Sequence, residues 1–440
     1  MYIPIKIKFI FTIIIAILWT IVCFIIDKAW FYALVAAFGL PIAIFIVFGI
    51  AIIPGVMICF YSICGLLFDR HYDPEIIKDE LEDITVLIAA YNEEDCIYDT
   101  IKSLSFQEYP KTIIIKVIDN NSKDKTKEEI YRAISDFPQM KIEYLFEPTQ
   151  GKWAALNSAL KTTNTKYYIT IDADTYLFKG AIQDLANQIT QESKNKNIAA
   201  CAGCVLVRNS RKNLLTKMQE WEYFLSMATI KRSQGLFQTT MVAQGAFSIY
   251  NTELVKQVGG YKNVIGEDIV LSWELLSQPG GWRNYYNDNA IAFTNVPETF
   301  KIFWRQRVRW SRGSIEGFRR FKWKDCDNRY TKFYMLVNRI NIIGEISTIC
   351  FLIPGIILAL FFHNFLLISW CTVVLFLVTM LIYMIMLHKQ RTEVFKPLGL
   401  KIRRHYIAFI IYTISYAILL APMCLTGYIK EIFRTKRKWK

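Results

Sequence analysis

The sequence predicts an α/β domain on a mostly parallel sheet flanked by helices, in a chain with transmembrane helices at its N- and C-terminal ends. Three observations predict it. Hydrophobic residues make up 53% of the 440 and collect toward both ends, with a mean hydropathy of +0.24. From about Tyr72 to Arg320, short β-branched runs alternate with stretches of helical spacing. Within that region, Lys166-Tyr-Tyr-Ile-Thr-Ile-Asp172-Ala-Asp174 reads as a buried strand that stops at two carboxylates one residue apart. Such a pair sits at the mouth of a sheet, where a divalent cation and the phosphates of a nucleotide can meet. A strand-ending Asp also serves as a turn or cap residue, so the pair takes its meaning from the residues spaced around it.

The run Phe9–Ile26 is long enough to span a bilayer and has no small-residue cleavage site, so it reads as a retained anchor. The uncharged run Ala29–Phe68 is broken by Gly39, Pro41, Gly49, Pro54 and Gly55. It reads as one span with a partly embedded lead-in, because Lys6 and Lys8 set the N-terminus inside and an even number of crossings keeps the soluble domain inside too. At the other end come Ile346–Phe362, Phe365–Leu387 and Tyr406–Tyr428, preceded by Phe333–Ile343, which reads as a surface helix. Three crossings there put the basic tail outside, against the positive-inside tendency, which leaves the side of the last segment open. The expected division is an N-terminal transmembrane region over 1–70, a soluble domain over 71–320, an interfacial helix region over 321–345 and a C-terminal transmembrane region over 346–440.

The net charge of +14 does not point to nucleic acid. Lys6, Lys8, Lys389, Arg391, Lys401, Arg403, Arg404, Arg434, Lys436, Arg437, Lys438 and Lys440 cluster beside the apolar runs, as cytoplasmic membrane flanks and lipid-facing residues do. Six of the ten cysteines lie inside apolar segments, and Cys201 and Cys204 fall in a strand-like run with no second pair or histidine nearby. Neither a zinc site nor a disulfide framework is implied. The four histidines are His71, His363, His388 and His405, so the stretch from Tyr72 to Arg320 has none. Histidine-based triads are thereby unsuited to it, and a general base must be a carboxylate or lysine.

Strands are expected at Ile84–Ala90, Ile113–Ile118, Ile142–Phe146, Tyr167–Ile171 and Ile198–Val207, with helices including Lys125–Ile134, where Thr126 and Glu129 fit a capping box, and Trp153–Leu160. Ligands of such sheets gather beyond the carboxyl ends of the strands. Polar residues cluster there: Tyr91-Asn92-Glu93, Asp119-Asn120-Asn121-Ser122, Gln150-Gly151-Lys152 at a helix start, and Asp172 with Asp174. A lysine at a helix N-terminus beside a carboxylate-held cation suits a diphosphate, since free amides and ammonium both favour the anion.

Downstream, Val264-Ile265-Gly266-Glu267-Asp268-Ile269 places an acidic pair ahead of an apolar helical run, as a base or as a cap. In Phe303-Trp-Arg-Gln306-Arg307-Val-Arg309-Trp310-Ser-Arg312, residues Arg305, Arg309 and Arg312 share one helical face, with Phe303, Gln306 and Trp310 toward another. A basic aromatic helix beside membrane segments rests on lipid headgroups, or holds a departing diphosphate while an indole faces a sugar ring.

Read together, Tyr91-Asn-Glu93, Asp119, Gly-Lys152, Asp172-Ala-Asp174, Gly-Glu267-Asp268 and Gln306-Arg-Val-Arg309-Trp310 resemble, in order, the motifs of the membrane-embedded, inverting, processive family-two glycosyltransferases. These include cellulose, chitin and hyaluronan synthases. The likeness covers about Leu81 to Gly317 and is strongest to the poly-β-1,6-N-acetylglucosamine synthases, through Ile230-Lys-Arg-Ser-Gln234, Val296-Pro-Glu-Thr299 and Arg305-Gln-Arg-Val-Arg-Trp310.

The resemblance implies a GT-A-like fold and a processive polysaccharide synthase at the plasma membrane with a cytosolic catalytic domain. It implies a UDP-sugar donor, most naturally UDP-N-acetylglucosamine, a growing polysaccharide acceptor, membrane lipids and a small membrane accessory subunit as partners, and Mg²⁺ or Mn²⁺ as cofactor. Tyr91, Glu93 and Asp119 then hold the nucleoside, and Asp172 and Asp174 hold diphosphate through the metal. Asp268 is the base, Lys152, Arg307 and Arg309 stabilise the leaving UDP, and Gln306, Trp310 and Glu267 face the acceptor. Two departures stand out: Gly266 replaces the family's usual Thr or Ser, and Ala243-Gln244-Gly245 replaces its Ser-Gly loop. They bear on sugar and linkage, so a hyaluronan- or glucan-type synthase, a non-processive transferase acting on a membrane lipid, and a catalytically silent scaffold are the other readings.

Overall fold

The computed structural model describes residues 3–69, 75–401 and 405–435. The expected boundary at 70/71, His71, Arg403 and Arg404, and the basic residues from Lys436 to Lys440 lie outside the described residues.

Three apolar helices come first: α1 (Ile5–Ile26), α2 (Lys28–Phe38) and α3 (Leu40–Phe68). The sheet unit opens with β1 (Ile84–Ala90), α4 (Ile97–Ser105), β2 (Ile113–Asp119), α5 (Thr126–Asp136), β3 (Lys141–Phe146), α6 (Lys152–Lys161) and β4 (Tyr167–Asp172). It continues with β5 (Thr175–Leu177), α7 (Ala181–Ser193), β6 (Ile198–Val207), α8 (Leu214–Leu225), α9 (Arg232–Leu236), β7 (Phe247–Asn251), α10 (Thr252–Gln257), α11 (Glu267–Leu276), β8 (Arg283–Thr294) and α12 (Phe300–Arg320). Three long helices close the described chain: α13 (Arg329–Phe362), α14 (Trp370–Phe395) and α15 (Tyr406–Ile432).

The eight strands lie in the order β3-β2-β1-β4-β7-β6-β8-β5. β3, β2, β1 and β4 are parallel, whereas β7 runs against both its neighbours and β5 against β8, so the sheet is mixed. Alternation along β1 explains the layering. Val86, Ile88 and Ala90 pack with Ile97, Ile101 and Leu104 of α4 on one face; Leu87 packs with Ala155, Leu156 and Leu160 of α6 on the other.

Strands β7 and β8 escape sequence reading because polar residues interrupt their apolar pattern. Tertiary partners satisfy two of these groups in β8: Asn287 Nδ2 donates to the Asp184 carbonyl of α7 at 3.0 Å, and Asp288 lies 3.4 Å from Arg232. The expected capping box at Thr126 and Glu129 does not form. Thr126 Oγ1 instead donates to Asp124 at 2.6 Å and accepts from the Glu93 amide at 2.8 Å, while Glu129 pairs with Arg132 at 2.7 Å. The expected surface helix Phe333–Ile343 is not a separate element but part of α13, with Tyr334, Met335 and Val337 buried against Tyr61 of α3 and Phe237.

Helices α1, α3, α13, α14 and α15 are each long and apolar enough to cross a membrane, and α2 is a shorter apolar helix. They are fastened to the sheet unit by charge. Arg232 is buried among Asp69 after α3, Gln390 and Glu393 of α14, and Asp288 of β8. Its Nε donates to Asp69 at 2.7 Å, its Nη1 to Gln390 at 2.8 Å and its Nη2 to Glu393 at 3.0 Å. Lys389 adds a bond of 2.7 Å to the Asp69 carbonyl. Removing one member of a buried ionic cluster strands the others, a loss of about 3–5 kcal/mol. Arg232→Met is therefore expected to destabilise the detergent-purified protein by that order and so lower its thermal unfolding midpoint, and a midpoint equal to the parent's would contradict this role.

Candidate active site

In the order β3-β2-β1-β4 the chain adds β2 and β3 on one side of β1 and then switches to add β4 on the other, and the parallel register sets the carboxyl ends of these strands level. Ala90 pairs with Asp119 on one side, and Ala89 with Asp172 on the other. Adjacent strands lie about 4.8 Å apart, so Asp119 and Asp172 flank the end of β1 across a mouth roughly 10 Å wide.

On the β2 side, Asp119 is buried. Its Oδ1 accepts the Ser122 amide at 3.0 Å and its Oδ2 accepts the Tyr144 hydroxyl at 3.1 Å. Asn120 ties this corner to the next loop: its Nδ2 donates to the Thr149 carbonyl at 2.7 Å and its Oδ1 accepts the Gly151 amide at 2.7 Å. Gly151 has φ +135, a backbone region that favours glycine, which lets the chain turn into α6. Tyr91 follows β1 and its hydroxyl accepts from Gln150 Nε2 at 3.3 Å, and Glu93 stands in the same loop. The three residues expected around a nucleoside thus lie at neighbouring strand ends.

On the β4 side, Lys152 in the first turn of α6 donates to Asp172 and lies 3.7 Å from Glu267, the first residue of α11. Burial works to lower this ammonium, but Asp172, Glu267 and Asp268 outweigh it and hold it above the usual lysine range. Asp268 is clamped by two backbone amides: Oδ2 accepts Gly245 N–H at 3.2 Å and Oδ1 accepts Ile269 N–H at 2.9 Å. A Cβ on Gly245 would stand 2.8 Å from Lys152 Nζ and 3.9 Å from Asp268 Cβ. Gly245 therefore packs directly against both charged groups.

Two acids here keep their protons to a higher pH than carboxylates ordinarily do, and are anions only above it. Burial, then Asp172 and Glu93, push Asp174 up to about 7, and Thr294 donates to it at 3.3 Å. Burial pushes Glu267 up to about 7; Lys152 opposes this and Asp268 adds to it. A partly buried carboxylate crowded by two others is a place a divalent cation would stabilise, so Asp172 and Asp174 fit a metal. No group of three or more potential protein ligands is assembled among the described residues. A cation held here would complete its shell from water and a bound phosphate, as Mg²⁺ commonly does.

Helix α12 divides the arginines differently from the expected common face. Arg309 is exposed and acts on Glu267, and Arg305 is exposed, but Arg312 is buried and donates to Glu431 of α15 at 3.0 Å. Arg307 is not free for a diphosphate in this structure. It is buried, its Nη2 donates to Glu222 of α8 at 2.5 Å and to the Tyr416 hydroxyl of α15 at 3.4 Å, and its guanidinium lies 4.1 Å from the Trp310 ring centre. Trp310 is exposed, with Tyr223 at 6.5 Å between ring centres, and Gln306 Oε1 is buried without a partner among the described residues. Glu222 and Tyr223 escaped sequence reading, because nothing in the spacing of α8 marks them.

Gly266 has a packing reason. A Cβ there would stand 2.8 Å from Gly313 Cα, so α11 starts where α12 passes backbone to backbone. A Thr or Ser at this position has no room.

Residues 82–313 match the model of the glycosyltransferase like family 2. The chain is 32% identical over 277 residues to a poly-β-1,6-N-acetyl-D-glucosamine synthase of Staphylococcus epidermidis, covering 61% of this chain and 64% of that protein. It is 33% identical over 260 residues to the synthase of the same name from Staphylococcus aureus, covering 59% and 61%. The match thus spans less than two thirds of those relatives' length. Among solved structures, a mannosyltransferase from Pyrobaculum calidifontis in complex with GDP-mannose and Mn²⁺ aligns over 80% of this chain and 88% of its own, with a TM-score of 0.53 and 15% identity. That likeness is one of fold: the mixed sheet with flanking helices is GT-A-like.

Gly266→Ser is expected to overpack the α11–α12 crossing by about 1–3 kcal/mol, lowering the unfolding midpoint and turnover together; parental values for both would contradict the contact. Asp174 binds a proton in the folded state up to about pH 7, but only to about pH 4 when unfolded. Its contribution to stability therefore falls as pH rises across that window and stays unfavourable above it. Asp174→Asn should raise the midpoint in chelator relative to the parent at pH 8 and converge with it near pH 4; a difference independent of pH would reject the crowding.

Proposed function

The chain belongs to the glycosyltransferase like family 2, and on that premise we propose that it is a membrane-embedded polysaccharide synthase. It transfers N-acetylglucosamine from UDP-N-acetylglucosamine, with inversion, onto a growing β-linked chain. The reading is supported above all by the meeting of Asp172 and Glu267 on the Lys152 ammonium, with Asp268 held beside them by Gly245. A base and a diphosphate site stand together at the carboxyl end of the sheet. The choice of sugar rests on the relatives' name, and the membrane setting on five helices of spanning length.

In this reading Asp119, Tyr91 and Glu93 hold the uridine, and Asp172 and Asp174 hold a Mg²⁺ or Mn²⁺ ion on the diphosphate. When bound, the cation supplies neutralisation of the charge that grows on the departing UDP. Lys152 serves the same charge: a diphosphate competes with Asp172 for its ammonium, and exposed Arg309 adds a second cation. Arg307, tied to Glu222 and Tyr416, instead fixes the α12 turn that carries Trp310. Trp310 and Gln306 seat the terminal sugar, the unpaired Gln306 oxygen offering an acceptor for a sugar hydroxyl. Asp268 takes the proton of the acceptor hydroxyl, that oxygen forms a bond to the anomeric carbon from the face opposite UDP, and the bond from that carbon to the diphosphate oxygen breaks with its electron pair leaving on UDP. One displacement converts the α-linked donor to a β-linkage. Since UDP-sugars are cytosolic, the sheet unit lies on the inner face of the plasma membrane and the polymer leaves between the long helices.

The test supplies the purified enzyme with UDP-N-acetylglucosamine, UDP-glucose, or UDP-glucose with UDP-glucuronate, with Mn²⁺, with Mg²⁺ or with chelator, and sizes the product. Long polymer from the first donor alone, lost in chelator, is expected; polymer from another donor, or a single-sugar lipid product, would replace the proposal. Asp268→Asn should lower turnover by about 10²–10⁴-fold.

A further inference from the structure

Lys231 closes a π-helical turn, Ser226–Lys231, between α8 and α9. Such turns are less stable than regular helix and recur at functional sites. The side chain is buried, and its ammonium donates to the Val242 carbonyl. A neutral carbonyl is a weak partner for a buried cation, and burial pushes the Lys231 ammonium down to about 7, with Asp268 as the opposing charge. Stability alone does not account for a lysine here.

Val242 belongs to a strap, residues 241–245, that is held from two sides. From the α8–α9 side come Lys231 and, three residues on, Gln234, whose Oε1 accepts Met241 N–H at 3.1 Å. From the α11 side, Ala243 N–H donates to Ser272 Oγ at 2.9 Å and Gly245 N–H to Asp268 Oδ2 at 3.2 Å. Tyr250 closes the turn by donating to the Ala243 carbonyl at 2.6 Å. The neighbouring Arg232 anchors the same turn to Asp69 and Glu393, so Lys231 reaches the strap from a fixed base.

We propose that Lys231 is a positioning residue for Asp268: by gripping the Val242 carbonyl it fixes the strap whose Gly245 amide orients the Asp268 carboxylate toward the acceptor hydroxyl. The inference rests on the reading of Asp268 as the base. The Lys231 ammonium is buried against the Val242 carbonyl and reaches Asp268 only through the strap, so its loss is expected to act on turnover and not on donor binding. A small misplacement of a catalytic group lowers rate by about 10- to 100-fold.

The experiment measures kcat and KM for UDP-N-acetylglucosamine by UDP release from the full chain in detergent, for the parent, Lys231→Met, Lys231→Arg, Gln234→Leu and Asp268→Asn. Lys231→Met should lose kcat by that factor with KM unchanged, and Lys231→Arg, which keeps a donor, should recover much of it. Gln234→Leu loosens the same strap at Met241 and should show the same split, which decides the matter if Lys231→Met does not fold. Parental kcat in Lys231→Met, parental kcat in Gln234→Leu, or kcat and KM falling together without rescue by Arg would each overturn the positioning role. Parental turnover in Asp268→Asn would instead overturn the base reading. Inactivity of Asp268→Asn beside a fully active Lys231→Met removes the positioning role alone.

Discussion

The ammonium of Lys152 is the contact on which the arrangement of the site depends. A cation in the first turn of a helix meets the unpaired amides and the positive end of the helix dipole, and is out of place there unless anions surround it. Asp172 at the end of a strand and Glu267 at the start of a distant helix supply those anions, and Asp268 stands just behind. The lysine thereby draws together a strand end and a helix start separated by almost a hundred residues. In the function proposed above, the anions that hold Lys152 are those a phosphate would displace.

Helix α12 is the second organising element, because it is shared between the sheet unit and the long apolar helices. At Gly266 and Gly313 it touches α11 backbone to backbone, and at Gly427 of α15 a Cβ would stand 2.7 Å from the Val308 carbonyl. Close approach of this kind leaves no freedom to slide. The ion pairs Arg307–Glu222 and Arg312–Glu431 then fix rotation. Exposed Arg309 and Trp310 are therefore presented from a helix set by α8 and α11 on one side and α15 on the other.

Much of the fold was legible. Strands β1 and β6 run over the residues that β-branched runs marked, and β2, β3 and β4 differ by one residue at an end, because a strand buried on both faces, as β1, β4 and β6 are, is a continuous apolar run, whereas edge strand β3 declares itself by alternation. The polar strand ends were legible for the same reason, since polar residues interrupt such runs only where the strand leaves the core. β8 was not, because its Asn287 and Asp288 find their partners in α7 and Arg232, which no local pattern announces, and β7 was not, because Ser248 breaks its short apolar run. Thr126 failed as a cap for a similar reason: a hydroxyl in a sequence cannot say whether its own helix or the Glu93 amide will claim it.

By itself the sequence determined which chemical groups are present, that they fall at strand ends and helix starts, and, through the lack of histidine between Tyr72 and Arg320, that carboxylates and amines carry any proton transfer. Tertiary structure alone decided how charges of like type were divided. Arg307 and Arg312 turn to Glu222 and Glu431 while Arg309 stays open, and Lys152 meets three acids while Lys231 meets a carbonyl. The physical reason is that helical and strand periodicity fix the direction of a side chain relative to its own element, whereas a charge takes its role from the oppositely charged or desolvated groups that other elements bring to it.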